Sequence, residues 1–207
     1  ISGAGSLNIS ATEDAIYADG NVTVTDATVT INGGDYGISA YGNVTLDNAT
    51  VTMKDVEYDG IYADYSVEIK NSTVNIACGD EGIYAYDDLT VTGSGAIAAP
   101  GGYGIGVSTT GKLTVNGGNF FGMDVNDYLI GNWGEVVIND GFFWGIYNVL
   151  NTFEQGSGTA VVTGGQFMTD DTDYTGEYES ADLMADAGIT VTGGEALMQI
   201  DFLLELF

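Results

Sequence analysis

The chain has 207 residues, 44% of them hydrophobic, which supplies one domain with a real core and excludes a disordered segment. Its 30 Asp and Glu stand against three basic residues, Lys54, Lys70 and Lys112, with no Arg and no His, for a net charge of −27. That balance repels nucleic acid and anionic membranes, and it leaves no Arg clamp, no zinc-binding histidine and no His-based catalytic triad.

Cys78 is the single cysteine, so no internal disulfide forms, and it reads as an inert thiol near a turn. No apolar run is long enough to span a membrane, and no signal peptide opens the chain. It reads as a mature protein or as a piece of a longer one.

The first predicted strand holds Leu7 and Ile9. Ile9 precedes Ile16 by seven residues, as Ile31 precedes Ile38, so the chain begins inside a coil. From there the sequence repeats. The segment AIYA at Ala15 recurs as GISA at Gly37, GIYA at Gly60 and Gly82, and GIGV at Gly104, putting Ile at 16, 38, 61, 83 and 105. A second motif follows each copy: VTVTDATVTI from Val22, VTLDNATVTM from Val44, VEIKNSTVNI from Val67 and LTVTGSGAIA from Leu89. Further copies start at Leu113, Val136, Ala160 and Ile189.

Within a copy, apolar and polar residues alternate with period two. Ile16, Val22, Val24, Val29 and Ile31 face in, while Tyr17, Thr23, Thr28 and Thr30 face out, which predicts three short half-buried strands per repeat. The turns between them are Asp19–Gly20–Asn21, Thr25–Asp26–Ala27 and Asn32–Gly33–Gly34, all tolerant of bends. Equivalent residues return with the same facing, so each repeat stacks on the last about 4.8 Å along an axis. The predicted fold is an all-β parallel β-helix, a β-solenoid of three strands and about 22–24 residues per coil and roughly eight to nine coils.

Three interior ladders are expected. One runs Ile16, Ile38, Ile61 and Ile83; a second runs Val22, Val44, Val67, Leu89 and Leu113. The third runs Val29, Val51, Val74 and Ala96, then Phe120, Phe143 and Phe167. Residues 1–207 thus form one domain, with regular Val/Ile coils over 1–111 and Phe-containing, Gly-Gly coils over 112–207. The largest insertion lies at 168–188.

The outward positions suggest two sites. Tyr17, Tyr62 and Tyr84 form a column interrupted by Ser39, with Tyr41 and Tyr86 two positions further on and Tyr103 on the same side. Such a ribbon suits stacking of sugar rings; it also covers and stabilises the coil. Asp14, Asp35, Asp59, Asp80 and Glu81 crowd one turn, with Asp19 and Asp64 three residues after the Ile. Clustered carboxylates of this kind are relieved by solvent or by Ca2+, and Asp170, Asp171 and Asp173 in the insertion form a second candidate calcium site. The outward Thr set is broken at Glu68 and Asn75 and reads as ordinary exposed strand. Sequons at Asn8, Asn21, Asn43, Asn48 and Asn71 matter only in a glycosylating host.

The segment GIYADYSVEIKNSTVNI and its neighbours resemble right-handed parallel β-helix repeats of secreted and cell-surface bacterial proteins. These include pectate-lyase-like, non-catalytic carbohydrate-binding β-helix proteins. The resemblance implies a right-handed coil and an extracellular or cell-surface location. Lyases of this shape offer a basic residue beside calcium, and this chain has three lysines and no arginine, so the expectation is a non-enzyme.

Neither end carries a polar cap: Leu7 and Ile9 stand at one, and Ile200, Phe202, Leu204 and Phe207 at the other. Unpaired edges invite pairing with neighbouring repeats of a longer chain or head-to-tail with another copy. Sequence alone therefore ranks a stalk segment or self-assembling filament subunit first. A carbohydrate-binding module, with calcium as an optional partner, ranks second, and a polysaccharide lyase or hydrolase third.

Overall fold

The computed structural model describes residues 1–99, 105–121, 128–145, 148–152, 160–169 and 189–191. After β1 (Ser6–Ser10), the first three coils each contribute three strands. They are β2 (Ile16–Ala18), β3 (Val22–Thr25) and β4 (Thr28–Asn32); β5 (Ile38–Ala40), β6 (Val44–Asp47) and β7 (Thr50–Val56); and β8 (Ile61–Ala63), β9 (Val67–Lys70) and β10 (Thr73–Cys78). Next come β11 (Ile83–Ala85), β12 (Leu89–Ala98), β13 (Ile105–Thr109), β14 (Leu113–Phe121), β15 (Tyr128–Asn132) and β16 (Val136–Gly145). The remaining strands are β17 (Asn148–Thr152), β18 (Ala160–Val162), β19 (Gln166–Thr169) and β20 (Ile189–Val191).

Every coil pairs in parallel with the next, which makes the chain a β-solenoid as the repeat requires. One sheet of seven strands runs β17-β15-β13-β11-β8-β5-β2. The other strands form a single 13-stranded sheet that bends at a corner between each second and third strand. In β12, β14 and β16 that corner lies inside one continuous strand, so these coils carry two strands where three were expected.

The corner explains the change. It demands a left-handed backbone, and Asp26, Asn48 and Asn71 supply it at φ 53°, 50° and 46°. Asp and Asn tolerate this region better than other side chains do. The Asn48 side-chain amide also donates to Asp26 Oδ1 at 2.5 Å. From Gly93 (φ 96°) onward, glycine takes the position. Gly93 pairs with Gly117 at the bend, inside strands that run continuously through the corner, and the register shifts just beyond it.

The core fills the space between the sheets. Val24, Leu46, Ile69, Val91, Val115, Ile138 and Val162 stack in one column. Each such side chain contributes roughly 1.5–3 kcal/mol on burial. The ladder of Ile16, Ile38, Ile61 and Ile83 stands in register as expected, and one expected ladder needs correction. The third runs Val29, Val51, Val74, Ile97, Phe120 and Phe143, because Val74 pairs with Ile97 and Ala96 instead faces Asn119. A register shift between Gly93 and Ala96 moves the inward position on by one. Similarly, Ile83 pairs with Val107, and Ile105 lies opposite Tyr128. The switch from Val to Phe is as expected: the Phe120 and Phe143 rings stack at 4.9 Å, both fully buried. Phe167 pairs with Phe143 in the next coil. Among the described residues, no helix is long and apolar enough to cross a membrane.

Candidate functional site

The outer face of β2, β5, β8 and β11 gathers the tyrosines. Each strand is a three-residue Ile-x-Ala unit, and the middle residue points out. Ile16, Ile38, Ile61 and Ile83 are in register, so Tyr17, Ser39, Tyr62 and Tyr84 form one outward column, as expected. It continues to Ser108, which is fully buried.

Two residues further along each strand lies a second column. Tyr41 N–H donates to Ala18 O, Asp64 N–H to Ala40 O and Tyr86 N–H to Ala63 O, which fixes Asp19, Tyr41, Asp64 and Tyr86 side by side. Acid and aromatic alternate along it. The Tyr17 and Tyr41 rings meet edge to face at 5.6 Å, and the Tyr17 hydroxyl donates to Asp19 Oδ1 at 2.9 Å. Tyr62 and Tyr84 stack with centroids 5.6 Å apart and planes 17° from parallel.

Sequence reasoning missed two members of this surface. Tyr36 sits 5.6 Å from Tyr62 and 5.4 Å from Tyr58, bridging the column to the turn before it. The signal was present, since Tyr36 and Tyr58 occupy the repeat positions held by Asp59 and Asp80 in neighbouring coils, but those positions read as acidic. Ser39, between Tyr17 and Tyr62 in the column, is buried. Tyr17, Tyr41, Tyr58 and Tyr86 remain 40–58% exposed.

The expected acidic set resolves into two groups. Asp59, Asp80 and Glu81 come together, with one carboxylate oxygen of each within 4.8 Å of the others. Asp14 and Asp35 do not join them. Asp14 lies beside Tyr36, and Asp35 is held by backbone bonds to Glu13 and Tyr58. Asp59 is buried, and its Oδ1 accepts the Glu81 N–H at 2.9 Å. Burial, and then the neighbouring Glu81 carboxylate, push its carboxyl up to about 8. Cys78 borders the group, donating from Sγ to Glu81 O at 3.2 Å; burial first raises its thiol to about 12.

Three carboxylates fit the chemistry of a calcium site, which takes six to eight oxygens at roughly 2.3–2.6 Å. They would supply part of the shell, and water or ligand hydroxyls the rest. A proton on Asp59 relieves the same crowding. The other candidate calcium residues, Asp170, Asp171 and Asp173, lie outside the described residues, as do Tyr103, Ile200, Phe202, Leu204 and Phe207. Of the expected end residues, Leu7 on β1 is exposed and Ile9 packs partly against the core.

The tyrosines also hold their protons. Tyr17 is raised above the usual phenol range mainly by its bond to Asp19, Tyr62 by burial and then its bond to Asp64, and Tyr84 by burial and then Glu81. The face therefore presents neutral rings flanked by carboxylates.

A family model described as "Carbohydrate-binding domain-containing protein" matches residues 1–83. That stretch takes in β1 to β10, Tyr17, Tyr36, Tyr41, Tyr58 and Tyr62, and the Asp59, Asp80 and Glu81 group. No curated protein and no solved structure matches the chain.

Proposed function

We propose that this chain is a non-catalytic carbohydrate-binding solenoid, which lays sugar rings against the tyrosine face of β2, β5, β8 and β11. The observation that carries the reading is the tyrosine surface built by consecutive coils, with Tyr17, Tyr41, Tyr58 and Tyr86 exposed and Tyr62 and Tyr84 half-buried between them. Flat aromatic rings pack well against the apolar faces of sugar rings, the tyrosine hydroxyls donate and accept hydrogen bonds, and the adjacent carboxylates accept them from sugar hydroxyls. The family match supports the same reading, because its residues 1–83 include most of the face. An extracellular or cell-surface setting suits such a module.

This reading replaces the stalk or filament as the leading one. The tyrosine surface and the matched family both favour carbohydrate, and no observation favours end-to-end stacking. Hydrolysis also fits less well. The Asp59, Asp80 and Glu81 carboxyls gather into one cluster rather than standing as a pair on either side of a bond to be cut. Asp59 is also buried beneath the surface rather than facing a substrate.

The test is a glycan array followed by calorimetry on the binding glycan. Tyr62→Ala and Tyr84→Ala should each weaken binding by about tenfold, the scale of one lost aromatic contact. Unchanged affinity in both variants would remove the tyrosine face from the reading.

A further inference from the structure

The tyrosine face is an aromatic surface whose interruptions are all acidic or small. Its second column reads Asp19, Tyr41, Asp64, Tyr86, so each carboxylate neighbours a ring in the next coil about 4.8 Å away. On the opposite flank, Tyr36 and Tyr58 sit among Asp14, Asp35 and the Asp59 group. The segments 11–20, 33–42, 56–66 and 78–88, which build this surface, contain no Lys or Arg. The three lysines lie elsewhere: Lys54 on β7, Lys70 on β9 bonded to Glu68 at 2.8 Å, and Lys112 before β14 bonded to Glu135 at 3.1 Å.

A ligand laid on this face meets alternating tyrosine rings and carboxylates, and no lysine or arginine. A carboxylated or sulfated glycan would be repelled along its whole length. A neutral glycan would gain the stacking alone. A glycan bearing ammonium groups gains the stacking and two further terms. One is attraction to Asp19 and Asp64, and the other is cation–π contact, which acts within about 6 Å of a ring centroid. The hydroxyl bond from Tyr17 to Asp19 shifts electron density toward the Tyr17 ring and strengthens the second term there.

We infer that the tyrosine face selects polysaccharide carrying protonated amino groups, a glucosamine-type polymer, over neutral and acidic polysaccharides. This rests on the carbohydrate-binding reading above and specifies the charge of its ligand. The preference is electrostatic in part, so it weakens as salt rises.

The test compares four probes in EDTA at mildly acidic pH, where the sugar amines are protonated: glucosamine oligomers, their N-acetylated forms, glucose oligomers of the same linkage, and galacturonate oligomers. The expected order places glucosamine oligomers about tenfold above both neutral series, with galacturonate weakest. The double variant Asp19→Asn, Asp64→Asn should bring the glucosamine and N-acetylated oligomers to near equality, and an unchanged far-UV circular dichroism spectrum and melting curve show that it folds. Equal or tighter binding of the neutral series by the native chain would overturn the inference while leaving carbohydrate binding intact. Binding to none of the four would count against both. Glucosamine preference that survives the double variant would also overturn the inference, since the charge would then be read elsewhere.

Discussion

Asp59 Oδ1 accepts the backbone N–H of Glu81 at 2.9 Å, across exactly one turn of the solenoid. The contact places a buried carboxyl directly against the next coil's acid, and most of the chain's pH response is expected to follow from it.

The sign is fixed by burial. In the unfolded chain Asp59 loses its proton near its ordinary value of 3.8; in the folded chain it keeps it to about 8. Between those values the native state holds a proton that the unfolded state has released, so stability falls as pH rises through the window and levels off above it. Thermal melts in EDTA across that range should show this decline, and Asp59→Asn should flatten it. A parallel decline in the variant would assign the effect to other groups.

Calcium bound by Asp59, Asp80 and Glu81 would compete with that proton. Above pH 8, where Asp59 is ionised, calcium at a hundred times its dissociation constant should stabilise the fold by about 2.7 kcal/mol. Glu81→Gln should remove most of that gain. Melting curves with calcium and with EDTA decide it: no calcium shift at alkaline pH would leave the proton as the group's only counterpart.

The corner column predicts a sharp contrast between two substitutions. A Cβ at Gly93 would lie 1.9 Å from Asn71 Oδ1, on a backbone at φ 96°. Gly93→Ala should therefore destabilise by about 1–3 kcal/mol. Asn71→Gly, at φ 46°, keeps the conformation accessible and should cost far less. Denaturant titration of both variants measures the difference.

Cys78 should behave as an unreactive thiol. Burial holds it protonated to about 12, and its Sγ–H is engaged by Glu81 O. Alkylation of the folded protein should be slow at neutral pH and become fast once the chain is unfolded. Rapid labelling of the native state would place Cys78 in a more open environment.

The coil architecture was legible because it rests on period-two alternation and a recurring Ile, signals that backbone geometry imposes on every repeat. Ladder membership was less so beyond residue 90. There, one extra residue between Gly93 and Ala96 turns Ile97 inward, and spacing alone does not say on which side of a bend an insertion falls. The tyrosine column was readable from residues 17, 62 and 84 because they share one repeat position. Tyr36 and Tyr58 were not, since they reach the column from a neighbouring turn through ring size rather than register. The split of the acidic set likewise depends on which side chains are buried, a property of packing in three dimensions.

The columns on the tyrosine face are held together by backbone bonds such as Tyr41 N–H to Ala18 O and Tyr86 N–H to Ala63 O, none of which uses the outward side chain. Spacing and chemistry are thereby separated. The scaffold sets a fixed pitch, and the residue at each notch can be exchanged without removing a backbone bond of the ladder. A protein built this way can acquire a new ligand preference one coil at a time, rewriting the surface while the frame beneath stays as it was.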